Sequence, residues 1–180
     1  MIAQAAILGV ALAATASIVA GWWRTGITPT PSSPRAVGAM VDALADAPAG
    51  TILDLGAGWG TLAIAAARRH PDRTVIGYEL SWCPWLVACA LARMSGLRNL
   101  SFRREDFLRA ELPQAGAWLC YLHRRAMRGL DAQLQIPEAR PGLLVSNTFA
   151  LRSHVAQHVR RLDDLYRTPI YLYRWSADGR

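Results

Sequence analysis

Three acids close three successive apolar runs: Asp54 in "TILDLGAGWG", Glu79 in "TVIGYEL" and Asp106 in "RREDF". Directly after the first come Gly56, Gly58 and Gly60, spaced two apart. Glycine removes Cβ where a ligand must touch the main chain, and it tolerates positive φ. A dinucleotide loop, G-x-G-x-x-G, would seat a pyrophosphate on a helix N-terminus. Here the third glycine falls one position early, and the carboxylate of Asp54 suits a cationic ligand end better than a diphosphate. Glu79, 25 residues beyond Asp54, can accept two hydrogen bonds from ribose hydroxyls. Asp106 can accept from the amino group of an adenine, with Phe107 beside the ring. Glu79 and Asp106 also read as helix and turn caps, but three acids in register with one glycine loop favour a ligand.

The elements that must hold these residues alternate. Ser33 and Pro34 open a helix over about 35–47, with Val37, Met40, Val41 and Leu44 on one face. "TILDL" reads as a strand and 59–69 as a helix; "TVIGYE" as a strand and 82–95 as a helix. "LSFRRED", "AWLCYL" and "GLLVSN" supply three more strands, with a helix over 126–134. Residues 150–162 read as helical, and "YRTPIYLYRW" as an antiparallel strand. Nearly continuous apolar strands alternating with helices indicate a mostly parallel sheet covered on both faces, in which ligands bind beyond the carboxyl ends of the strands. The class is therefore α/β and Rossmann-like.

Residues 2–23 carry no charge across 22 positions and end in Trp22 and Trp23, followed by Arg24. As a helix this run would span about 33 Å, enough for a bilayer core. A cleaved signal peptide would need a basic start and a shorter core, and a soluble core helix of this length would carry a polar face. The predicted organisation is a transmembrane anchor over 1–24, a linker over 25–34 with three prolines, and one domain over 35–180. Arg24 and Arg35, with the Arg-rich chain behind them, predict a single-pass protein with its domain on the cytoplasmic side.

The net charge is +7, and all 20 basic residues are Arg. Arg103, Arg104, Arg124, Arg125, Arg128, Arg160 and Arg161 are spread over several elements without an aromatic-interleaved stripe. Anionic lipid headgroups are the simpler partner, and no nucleic acid is expected. Cys83, Cys89 and Cys120 lack metal-ligand spacing and read as reduced core thiols. His154 and His158 stand four apart without a carboxylate motif, so they read as a solvated face and no metal is expected.

"DLGAGWG", "GYEL" and "EDF" resemble the motifs of class I S-adenosylmethionine-dependent methyltransferases, over roughly 30–175. With the N-terminal apolar run, "TPTPSSP", "PWLV" at 84–87 and a terminal "IYLYRW", the chain resembles the membrane-anchored protein-lysine methyltransferases of the ATP synthase c-subunit and adenine nucleotide translocase type. "SWC" at 81–83 sets "GYEL" and "PWLV" further apart than that pattern. The resemblance implies S-adenosyl-L-methionine as cofactor. Asp54 with Gly56, Ala57, Gly58 and Gly60 would hold its methionine moiety, Glu79 and Leu80 its ribose, and Asp106 and Phe107 its adenine. The acceptor would enter by Tyr121 and His123, with the linker around Thr30 and Pro31 as a lid. His123 could take the proton of a lysine acceptor, directly or through water, and Tyr121 could orient the amine; packing and turn roles suit both residues too. The implied partners are a lysine-bearing membrane protein and the bilayer. Two other readings share the cofactor site: methylation of a small molecule or lipid amine, and a membrane-tethered domain that binds cofactor or protein without turnover.

Overall fold

The computed structural model describes residues 33–175, with Gln4 and Gly9 as isolated positions. The apolar run at 2–23 and most of the linker lie outside the described residues. Among the described residues no helix is long and apolar enough to cross a membrane.

Among residues 33–175 the α-helices are α1 (Pro34–Asp42), α2 (Thr61–Arg69), α3 (Trp82–Ser95) and α4 (Arg124–Gln133), and α1 passes into a 3-10 turn over Ala43–Asp46. The strands are β1 (Ile52–Leu55), β2 (Val75–Tyr78), β3 (Leu100–Arg103), β4 (Ala117–Cys120), β5 (Leu143–Asn147), β6 (His158–Arg161) and β7 (Pro169–Arg174). Local chemistry sets several boundaries. Ser33 Oγ accepts from the Ala36 N–H at 3.2 Å, and Pro34 fills the first helical position, where no N–H is needed. Gly96, left-handed at φ 68°, stops α3.

The seven strands form one sheet in the order β3-β2-β1-β4-β5-β7-β6. β1 to β5 run parallel, while β7 is antiparallel to both β5 and β6. The order reverses between β1 and β4, the place where a crevice opens in sheets of this kind. Burial divides by face. Ile52, Leu119, Val145 and Ile170 pack with Met40, Leu44, Leu62 and Ala66 on the α1–α2 side. Leu53, Leu55, Tyr78, Trp118 and Leu144 pack with Leu130 and Leu134 on the α4 side. Each fully buried Leu or Ile contributes about 1.5–3 kcal/mol through the apolar surface it removes from water.

The helix expected over 150–162 is not formed. Residues 148–157 are irregular, and His158–Arg161 is strand β6, paired with Leu172–Pro169 of β7. Every residue of β6 is exposed. Its backbone is captured by the edge of the sheet, and its side chains carry no alternating pattern that would announce a strand. The irregular loop is tied down by Asp131 of α4, a buried acid. The Ser153 N–H and Oγ–H donate to Asp131 Oδ2 at 3.1 and 2.9 Å. His154 Nδ1 lies 3.2 Å from Asp131 Oδ1. The Leu151 N–H donates to the Tyr173 hydroxyl at 2.9 Å. His154 and His158 therefore share no helical face. Asp131→Ala removes the buried acceptor of the Ser153 N–H and Oγ–H and of the His154 ring, and because Ser153 is itself exposed a cost of about 1–2 kcal/mol is expected. A lowered urea midpoint and new protease cleavage between residues 150 and 156 would show it.

Candidate active site

Strand register assembles the site. Leu55 lies opposite Tyr78 on one side and Cys120 on the other, and Cys120 lies opposite Ser146. The next residue of each strand therefore falls in one row along the carboxyl edge: Gly56, Glu79, Tyr121 and Asn147. Three of these four are among the predicted site residues. Asn147 and its neighbour Ser146, both buried, are not. The available signal was an apolar strand, "GLLVSN", ending in two polar residues.

The glycine loop is pinned to β2: the N–H groups of Gly56 and Ala57 both donate to the Tyr78 carbonyl, at 2.9 and 2.8 Å. Gly56, Gly58 and Gly60 all have positive φ, at 78°, 54° and 83°. They differ in what faces them. A side chain at Gly60 would start 2.8 Å from the Phe102 ring, and one at Gly56 would start 2.7 Å from Leu122 Cδ2. At Gly58 nothing lies within 4 Å. Of the three, Gly58 is the position where backbone meets open space; Gly56 and Gly60 admit neighbouring side chains. The Leu122 contact also seats the Tyr121–His123 turn against the loop.

Glu79 closes the other side. Its Oε2 accepts from the Gly58 N–H at 2.9 Å and its Oε1 from the Ser81 N–H at 2.7 Å. One carboxylate thus joins the loop after β1 to the start of α3, and each oxygen keeps a lone pair for a further donor. Leu80, half-buried, lies between the two anchoring points. Asp54 sits beneath the loop, 2% exposed. Its Oδ2 is buried without a hydrogen-bond partner. Burial pushes its carboxyl up to about 7, opposed by the Ala63 N–H and assisted by the nearby charge of Glu79. An acid so placed is costly unless a donor or cation completes it, so the acceptors here fit a ligand with an ammonium end and hydroxyls beside it.

Asp106 and Phe107 follow β3. Asp106 Oδ1 accepts from the Leu108 N–H at 3.0 Å, and Oδ2 lies 3.8 Å from the exposed guanidinium of Arg109. Asp106 therefore also caps its own turn. Phe107 is buried in the α4-side core with Leu122 and Met127. Tyr121 and His123, both half-buried, lie in the turn between β4 and α4, with His123 at the N-cap position of that helix. Burial pushes the Cys120 thiol up to about 12, and all three cysteines are free, Cys83 and Cys89 being half-buried. A cleft of about 130 Å³ lined by Arg124, Met127, Arg128, Phe149 and Arg152 opens beside this edge. A larger cleft, about 510 Å³, lies at the opposite end of the strands by Gly50 and Arg73. None of the predicted site residues lines it, so size does not mark the site.

The ANTKMT methyltransferase domain matches residues 54–158, more than half of the chain. The chain belongs to the ANTKMT methyltransferase family. No curated protein matches it in sequence. Among solved structures, an RNA methyltransferase from Salinibacter ruber in complex with S-adenosyl-L-homocysteine is similar in fold, with a TM-score of 0.69 and 24% identity, over 81% of this chain and 93% of that one. An S-adenosylmethionine-dependent methyltransferase from Geobacter sulfurreducens, also with S-adenosyl-L-homocysteine, gives 0.52 and 21%, over 66% and 49%. Coclaurine N-methyltransferase gives 0.50 and 21%, over 62% and 35%. This chain spans half or less of the last two. At these identities the likeness concerns the fold. Family membership makes the chain an S-adenosyl-L-methionine-dependent methyltransferase, and the mostly parallel seven-stranded sheet is its fold.

Proposed function

We propose that this methyltransferase N-methylates a lysine of a membrane protein, working from a single-pass anchor at its N-terminus with the domain on the cytoplasmic side. The observation that carries the site assignment is the buried, unpartnered Oδ2 of Asp54 under a glycine loop clasped by Glu79. Asp54 pairs with the ammonium of the methionine moiety, and the main chain of Gly56, Ala57, Gly58 and Gly60 lines the path of that moiety. Glu79 takes the ribose hydroxyls on its remaining lone pairs, with Leu80 beside the sugar. Asp106 and Phe107 bound the adenine end. When bound, the cofactor supplies a methyl group on a positively charged sulfur.

The rest is orientation and proton management. A free lysine has a pKa near 10.4, so its amine must lose a proton before its lone pair can form the new N–C bond as the S–C bond breaks. Tyr121, half-buried at the carboxyl end of β4, orients the amine, and His123 or a water beside it takes the proton. Holding amine and methyl in line removes much of the entropic barrier of a bimolecular step. The membrane acceptor is supported by the uncharged run at 2–23, by the basic charge of the chain and by the resemblance to membrane-anchored lysine methyltransferases. The absence of Lys from the chain means that labelled lysine must come from another protein.

Incubating the full chain with membranes and methyl-labelled S-adenosyl-L-methionine is expected to label a lysine of an integral protein, located by mass spectrometry. Label in a lipid or a soluble metabolite would overturn the lysine assignment and leave the cofactor assignment standing. Absence of any label, with cofactor bound, would favour the non-catalytic binding domain.

A further inference from the structure

Helix α3 is apolar on every side, yet only one side is covered. It carries one charged residue, Arg93, in fourteen. Pro84, Ala88 and Ala92, spaced four apart, face the sheet and are its buried residues. The opposite face is exposed: Trp82 at 53%, Leu86 at 51% and Met94 at 82%, with Val87, Ala90 and Leu91 beside them. A helix that is hydrophobic all round is normally buried on all sides or set in lipid. A contiguous exposed patch of this kind marks an interaction surface rather than chance.

The rim of the patch says what covers it. From Leu80 to Arg104 the chain has four Arg and no acid. The Arg104 guanidinium lies 4.5 Å from the centre of the Trp82 ring, so charge and aromatic face form one unit at the start of the helix. Arg93, Arg98 and Arg103 are also exposed. Apolar residues with Trp on one face and cations around them are the composition of a helix lying in the headgroup boundary of an anionic bilayer. The same chain contributes an uncharged run at 2–23 long enough to cross the hydrocarbon core.

We propose that the Trp82–Met94 face of α3 is a bilayer-docking surface, lying on anionic lipid with its apolar side chains among the acyl chains and its arginines on the phosphates. This deepens the reading of a membrane-borne acceptor and rests on it for its purpose. α3 begins at Trp82, directly after Ser81, whose N–H donates to Glu79, so docking this face sets the mouth of the site at headgroup level. An anchor alone leaves the domain free to turn; a second contact fixes which edge faces the membrane.

The test places a photoreactive benzoylphenylalanine at Met94 of the full chain, reconstituted in phosphatidylcholine–phosphatidylserine vesicles. Met94 is so exposed that the change leaves the core untouched. A matched chain carries the probe at Leu165, 88% exposed in the turn between β6 and β7 at the far edge of the sheet. Illumination is expected to add a phospholipid mass to the peptide bearing position 94, several-fold more than at position 165. The adduct should fall when phosphatidylserine is left out. Cross-linking of position 94 to residues 2–32, to a second copy or to nothing would overturn the proposal, as would equal labelling at both positions. Binding of S-adenosyl-L-methionine, measured on the same vesicles, separates the outcomes. Loss of cofactor binding with the lipid adduct intact removes the methyltransferase site assignment and leaves the docking face.

Discussion

Asp54→Asn is expected to stabilise the ligand-free protein at pH 8 while weakening its affinity for S-adenosyl-L-methionine. The two effects have one cause. Burial raises the carboxyl of Asp54 from 3.8 to about 7 in the folded chain, so between these values the native state holds a proton that the unfolded state has released. The stabilising contribution of that protonated acid is complete below about pH 4, and it is lost as pH rises through about 7. Three units correspond to at most about 4 kcal/mol by pH 8, and at 2% exposure water does little to screen it. Asparagine is neutral throughout and keeps an oxygen for the Ala63 N–H, so it escapes this cost. It cannot offer a charge to an ammonium group, and losing a charged hydrogen bond should weaken binding by about 1.5–3 kcal/mol, roughly ten- to a hundred-fold. Melting curves at pH 5 and pH 8, with and without cofactor, check both halves. The apo wild type should melt lower at pH 8 and recover when cofactor is added; the variant should lose both the slope and the recovery. A variant that bound cofactor as tightly as the wild type would remove Asp54 from the site.

Glu79→Ala should cost more than two ribose hydrogen bonds. The same carboxylate accepts from the Gly58 and Ser81 N–H groups, and charge-assisted bonds of this kind contribute about 1.5–3 kcal/mol each. Removing them frees the loop at the glycine that faces open space, so the protein is expected to lose both stability and a preformed pocket. Cofactor affinity should fall at least a hundred-fold, about 2.7 kcal/mol, with faster amide hydrogen exchange at Gly58 and Ser81. Glu79→Gln separates the roles. Its amide oxygen restores one acceptor, but its NH₂ meets the other N–H donor-to-donor, so the variant should recover part of the stability and little of the affinity. Unchanged calorimetric affinity in the alanine variant would show that the ribose lies elsewhere.

Much of what the structure gathers at the candidate site was legible in the chain because its signals are local. A glycine at positive φ, an apolar run of strand length, a Ser-Pro helix start and an acid at a strand end are all set by neighbours a few residues away. The alternation of these elements implied a parallel sheet, and a parallel sheet has a carboxyl edge where such acids must gather. The boundaries of α3 and the antiparallel last strand follow from the same kind of pattern. The stretch at 150–162 failed for a matching reason. Its spacing of apolar and basic residues suits a helix, and nothing local announces that β7 will offer it an unpaired edge or that Asp131, about twenty residues earlier, will hold its start.

What the tertiary structure alone decided is which of these residues meet. The bond from Gly58 to Glu79 spans 21 positions, and it forms because β1 and β2 lie side by side in register. The same register buries Asp54 beneath the loop, and that burial, not the residue type, raises its carboxyl and leaves Oδ2 without a partner. Packing also sorts three glycines that look equivalent in sequence: Leu122 fills the space at Gly56, Phe102 that at Gly60, and Gly58 stays open. The uncovered face of α3 emerges in the same way. Composition marks that helix as apolar throughout, but only the fold shows that the sheet covers one side and leaves the other to be covered by something else. Local sequence sets propensity and backbone geometry over a few residues; long-range contact sets burial, and burial sets the charge state and the free donors and acceptors from which a binding site is made.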